Sequence, residues 1–260
     1  MLEAPYNEAA LDVHDAKAVS IDDTSWRENR GKAQLWVVVT ALTTVFTIAA
    51  KRSAAVAKAL LGTKPNQVVT SDRHSSLEWI DPVWRQICWS HLERDFQAMI
   101  DRGGPGEATG RTLLRLAQRM FRWWHGARDG TIDRRRFQTI AARLRREVKR
   151  ALEAGQSCGC AQTAATCFEL LKVEEGLWTF VRVEGIEPTN NASERALRHA
   201  VIWRRISGGT DSAEGSRFVE RMLTVVATCR QQKRNVLDYL SSCFEAHLRG
   251  QKVPSLVAAK

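Results

Sequence analysis

Two β-branched runs constrain the fold most: Leu35-Trp36-Val37-Val38-Val39-Thr40 and Thr44-Val45-Phe46-Thr47-Ile48. Three residues separate them. Val, Ile, Thr and aromatic side chains suit a pleated, half-buried surface, so the pair predicts two antiparallel strands. Ser53 then opens a helix through Leu61, and Gly62 stops it. Val68-Val69-Thr70 predicts a short buried strand, with another expected near Ile87-Cys88-Trp89. Ahead of them, Ala18 to Ile21 approaches Asp22-Asp23-Thr24-Ser25-Trp26, and Asn29-Arg30-Gly31-Lys32 is turn chemistry. The first ninety residues therefore read β, β-β, α, β and a further β, which is a mixed α/β (α+β) sheet with helices. Asp22 and Asp72 each stand just past an apolar strand, where sheets with helical crossovers favour ligands and metals.

From His91 the texture becomes helical. Leu92–Ile100, Thr112–Gly126, Ile132–Ala154 and Ala164–Leu171 predict helices, broken by Arg102-Gly103-Gly104-Pro105-Gly106 and by Ser157–Cys160. The formal charge is +10, and residues 111–150 carry 13 basic groups against only Asp129, Asp133 and Glu147. That segment's surplus equals the whole net charge, so the stripe, not the average, points to nucleic acid or another anionic surface. Arg111, Arg115, Arg119 and Arg122 fall largely opposite the apolar side of their helix and are candidate phosphate contacts. The acidic, polar N-terminus is no signal peptide, and Leu35–Ala50 is too short and too threonine-rich to span a membrane. A cytoplasmic, nucleoid-associated protein with free thiols is expected. Cys158-Gly159-Cys160 with Cys167 lacks the paired spacing and the histidine of a zinc site.

The second organising stretch is Pro188-Thr189-Asn190-Asn191-Ala192-Ser193-Glu194-Arg195-Ala196-Leu197-Arg198. Pro188 stops what precedes it, the asparagines can cap, and a helix is expected from about Asn191 with Glu194 in its first turn. Glu194 one turn from Arg198 could hold a metal beside a phosphate, although capping and the helix dipole favour the same residues. Beyond the Ile206–Thr210 turn, Asp211 and Glu214 fit a capping box. The next helix presents Val219, Met222, Leu223 and Val226, and a last one after Asn235 presents Leu237, Leu240, Phe244 and Leu248 to the core.

Asp22, Asp72 and Glu194 are thus placed by two strands and a helix. Carboxylates suit magnesium, and two such ions can activate an attacking oxygen and stabilise a leaving one at a phosphodiester. The surrounding blocks carry a resemblance: Asp22-Asp23-Thr24-Ser25-Trp26-Arg27, Arg52-Ser53 to Leu60-Leu61-Gly62, Ser71-Asp72-Arg73, Cys88-Trp89-Ser90-His91-Leu92-Glu93-Arg94-Asp95-Phe96 and Glu187 to Arg198. From about residue 4 to 248 the sequence resembles the catalytic region of bacterial insertion sequence 66 family (DDE-type) transposases. The resemblance implies a ribonuclease-H-like fold with a helical insertion before the last acid. Asp22, Asp72 and Glu194 would be its catalytic, metal-holding triad, with Mg²⁺ or Mn²⁺, in two ions, as cofactor. It implies metal-dependent cleavage at transposon ends, then strand transfer to target DNA by a homo-oligomer, with accessory proteins of the same element as further partners. Strand alternation turns only one of Asp22 and Asp23 toward such a site, and Asp22 is the assignment.

The expected organisation is a lead-in over 1–18, a catalytic domain over 19–91 and 181–250, a helical insertion over 92–180 and a loose tail over 251–260. Arg195, Arg198, Arg204 and Arg205 could grip phosphates near Glu194, and His91 and Arg94 could border the cleft. Family members usually carry an N-terminal DNA-recognition region, and Met1 lies only 21 residues before Asp22. A catalytically inactive DNA-binding remnant is therefore the alternative expectation. A ribonuclease or other nuclease on free substrate would share the triad.

Overall fold

A computed structural model describes residues 1–63 and 67–257. They divide into two compact units, residues 1–80 with 190 onward, and residues 81–189.

The first unit is built on a mixed sheet. Strands β1 (Ala18–Glu28), β2 (Gly31–Val39), β3 (Thr44–Ala49) and β4 (Val68–Ser71) lie in the order β3-β2-β1-β4. Three are antiparallel neighbours, and β4 is parallel to β1 because helix α2 (Ala54–Leu61) carries the crossover. Asn29 (φ 47°) and Arg30 (φ 61°) make the β1–β2 turn, both left-handed, as a two-residue hairpin needs to match strand twist. Ser53 caps α2 by accepting from the Val56 N–H (3.4 Å), and Gly62 leaves it with φ 83°. Residues 1–18 are more than a lead-in. Helix α1 (Glu3–Asp15) buries Ala9 and Val13, and Asp12 accepts hydrogen bonds from Thr40 (3.0 Å) and Thr43 (2.9 Å) at the β2–β3 turn.

Alternation sorts the side chains of the sheet onto two faces. Val19, Ile21, Trp36, Val38 and Val45 pack with α1, α2 and helix α10 (Val236–Leu248). Trp26, Leu35, Val37, Phe46 and Ile48 pack with helix α8 (Asn191–Ser207) and helix α9 (Ala213–Gln231). Helix α9 also flanks the outer edge of β3. The N–H groups of Thr44, Phe46 and Ile48 donate to Thr228 Oγ1 (3.1 Å), Thr224 Oγ1 (3.0 Å) and Glu220 Oε1 (2.5 Å). Polar side chains one helical turn apart thus meet alternate residues of a strand, and the exposed ladder is satisfied without another strand.

Three expectations change here. Ser212, not Asp211, caps α9, accepting from Gly215 N (3.1 Å). In α10 the buried residues are Tyr239, Cys243 and Ala246, whereas Leu237, Phe244 and Leu248 are exposed. The segment after α10 has no regular structure, yet Leu256 is fully buried in the first-unit core; the last three residues of the expected tail lie outside the described residues.

The second unit is helical apart from the short strand β5 (Arg85–Ile87). Its helices are α3 (Trp89–Asp101), α4 (Glu107–Arg128), α5 (Arg134–Gly155), α6 (Ala161–Lys172) and the single turn α7 (Thr179–Arg182). Trp89 opens α3 instead of ending a strand. Leu113, Leu116, Ala117 and Met120 of α4 and Phe137, Ala141, Leu144, Val148 and Leu152 of α5 are buried at three- and four-residue spacing. All six cysteines are free thiols. No helix among the described residues is long and apolar enough to cross a membrane.

Candidate active site

The face of β1 that carries Ser20, Asp22, Thr24 and Trp26 is where α8 lies. Ser193 Oγ is 2.8 Å from Ser20 Oγ, Asn190 Nδ2 donates to Asp22 Oδ2 (3.2 Å), and Arg204 Nη1 donates to Thr24 Oγ1 (3.1 Å). Ser193, Leu197 and Ala200 are the buried stripe of α8. Glu194 sits beside that stripe in the first turn, half-buried. Asn190 occupies the N-cap position but makes no side-chain cap there; its amide is spent on Asp22 instead.

Asp23 points to the opposite face, as alternation requires, and Arg52 meets it. Arg52 follows β3 and bridges two acids: Nε is 2.6 Å from Asp23 Oδ1, and Nη2 donates to Asp72 Oδ2 at 2.9 Å. The Asp23 contact is close as an ion pair but poorly aligned as a hydrogen bond. Asp72 lies just past β4, and its Oδ1 accepts from the His74 N–H (3.0 Å).

Electrostatics ties the acids together. Burial pushes the Asp22 carboxyl up to about 7, and the negative charges of Asp72, Asp23 and Glu194 push the same way; its hydrogen bond from the Asp23 N–H opposes them. Burial also raises Asp23, with Arg52 acting against it. A carboxyl that resists ionisation among other acids sits where a cation would be welcome.

The family profile described as "Transposase IS66 family" matches residues 1–218. The chain belongs to this transposase family. It is also 28% identical over 167 residues to the uncharacterized protein y4qI of Sinorhizobium fredii (strain NBRC 101917 / NGR234). That alignment covers 63% of the chain and 31% of y4qI, so the chain matches about a third of that relative's length. No solved structure matches it.

In this IS66 family member the remaining candidates fall as follows. Arg195, Arg198 and Arg205 are exposed on α8, whereas Arg204 is turned back onto β1, bonded to Thr24 and to both Oγ and the carbonyl of Ser25. His91 and Arg94 are on α3 of the second unit. Also in that unit, Arg111 is paired with Glu107 (2.6 Å) and Arg119 with Glu147 (2.7 Å), while Arg115 and Arg122 are exposed and form no ion pair among the described residues. Sequence reasoning gave no role to Arg52. The available signal was a cation at a strand-to-helix junction, in a chain whose next strand ends in an acid.

Proposed function

We propose that Asp22, Asp72 and Glu194 form the acidic triad of a ribonuclease-H-like, DDE-type transposase that cuts DNA at insertion-sequence ends and joins them to target DNA. The observation that carries the reading is the Asp22 carboxyl, raised to about 7 by burial and by the charges of the other two acids. The donor set fits a hard divalent cation: three carboxylates, one of which resists ionisation first through burial and then through the charges of its acidic neighbours. Asp22, Asp72 and Glu194 would hold Mg²⁺ or Mn²⁺, in two ions. Bound there, such ions activate the attacking oxygen and stabilise the leaving one.

The chain's own residues position this set. Asn190 fixes the outer oxygen of Asp22, Arg52 holds Asp72 against Asp23, and the buried Ser193–Ser20 contact seats the first turn of α8 so that Glu194 is presented beside β1. Exposed arginines on α4 and α8 supply sequence-independent phosphate contacts, and a homo-oligomer would bring two ends together.

The test is Asp22→Asn on a substrate with the element's ends. Magnesium-dependent nicking should vanish while the circular dichroism spectrum is unchanged. Nicking equal to wild type sinks the assignment. Salt-sensitive DNA binding with no magnesium response in either protein identifies an inactive DNA-binding remnant.

A further inference from the structure

The β1–β2 hairpin and the C-terminal end of α8 enclose an open cavity of about 500 Å³. Three cations line it, each from a different element: Arg27 of β1, Lys32 of β2 and Arg204 of α8. No carboxylate is among the lining residues, and none of the three is in an ion pair among the described residues. Three positive charges around one hollow make a positive potential that attracts an anion. The frame is fixed. Among the described residues the side chain of Arg204 bonds through Nη1 alone, to Thr24 and Ser25, which leaves Nε and Nη2 for a ligand. The turn after α8 is pinned to the hairpin by Thr210 N to Arg27 O (2.9 Å) and Asn29 N to Thr210 O (2.8 Å). Gly209 comes so close to Arg27 that an added Cβ would lie 2.4 Å from its carbonyl oxygen.

The spacing says what kind of anion fits. Asp22 and Trp26, which lines the cavity, are four residues apart on one face of β1, about 13 Å, and Glu194 and Arg204 are ten residues apart on one helix, about 15 Å. Both elements run from an acid to a cation, and their contacts pair Asn190 with Asp22 at one end and Arg204 with Ser25 at the other. A nucleic-acid strand advances about 3.4 Å per nucleotide. We propose that this cavity holds a phosphate of the bound DNA strand about four to five nucleotides from the phosphodiester at the acids. The proposal rests on reading Asp22, Asp72 and Glu194 as the cleavage site. With charged side chains alone, the cavity grips the backbone without choosing a base.

The experiment is equilibrium binding of a short random-sequence DNA duplex in chelator, by fluorescence anisotropy across a salt series. Arg27→Gln with Lys32→Gln should lower the slope of log K against log salt by about 0.9, the value for one lost phosphate contact. The slope is read in chelator, where no strand is cut, so failure of this proposal is distinguishable from failure of the cleavage reading, which the nicking assay of Asp22→Asn reads. In a second duplex that carries the element's end, a neutral methylphosphonate about four or five nucleotides from the cleavage position should weaken wild type and not the double variant. Should the double variant lose its circular dichroism signal, Lys32→Gln alone, exposed at the hairpin, reads a slope change in the same direction of up to about one. An unchanged slope in a folded variant overturns the proposal. Inorganic phosphate that binds through Arg27 and Lys32 while the DNA slope stays constant also overturns it, and assigns the cavity to a free anion.

Discussion

Asp22 and Asn190 are 168 residues apart and share one hydrogen bond. Because Asn190 gives α8 no side-chain cap, Asn190→Ala should leave the helix in place. It should lower magnesium-dependent nicking by about 10- to 100-fold, the usual cost of losing a group that orients a ligand. A stability loss with full nicking would mean that the Asn190–Asp22 bond is only structural. The sequence shows this residue as a cap because capping is a local rule; a carboxylate far along the chain is invisible to it. Asp72 and Glu194 were legible because one stands at the end of a strand and the other at the start of a helix; Asp22 was expected just past a short strand and instead lies inside β1, which runs on to Glu28 because its polar residues Asp23 to Ser25 still pair with β2. Glu220 was not legible, since it serves a backbone N–H of another element. Its side chain is 2% exposed, and burial raises its carboxyl from 4.5 to about 7, against the Ile48 N–H and Arg217. The folded protein then binds this proton more tightly than the unfolded chain between pH 4.5 and 7. Stability contributed there is present below that window and falls as pH rises through it, by at most about 3 kcal/mol. Glu220→Gln keeps an acceptor for Ile48 and should flatten that part of the pH dependence of thermal unfolding. A slope equal to wild type would contradict it.

At the level of elements, α9 replaces the strand that β3 lacks. Thr224→Val is close in shape and removes the acceptor of the Phe46 N–H, so it should cost about 1–3 kcal/mol in denaturant unfolding. No loss would show that water satisfies the edge equally well. The strand pair, the α2 crossover and the helices of the second unit could be read from β-branched runs, caps and three-four spacing. The rotation of α10 could not. Leu237-Leu240-Phe244-Leu248 and Val236-Tyr239-Cys243-Ala246 both have helical spacing, and only packing against the sheet selects the second. Helix α1 escaped notice because its buried face includes Pro5 and Asp12, which an apolar pattern omits.

For the molecule as a whole, the +10 charge is distributed in a way that ion pairing refines. In the second unit, Glu107 and Glu147 neutralise Arg111 and Arg119, whereas Arg115 and Arg150 line a groove of about 490 Å³ between α4 and α5 with no acid partner of their own. Arg115→Gln with Arg150→Gln should therefore reduce the salt slope of DNA binding by about two, and Arg111→Gln with Arg119→Gln by less. Equal slopes for the two pairs would show that the acids do not matter. The central claim concerns strand cleavage, and it is tested by nicking of DNA bearing the element's ends in magnesium by wild type and Glu194→Gln. Nicking by wild type, reduced at least about a hundredfold in a folded Glu194→Gln variant, is the predicted result. Equal nicking by the two proteins would contradict the assignment of the triad.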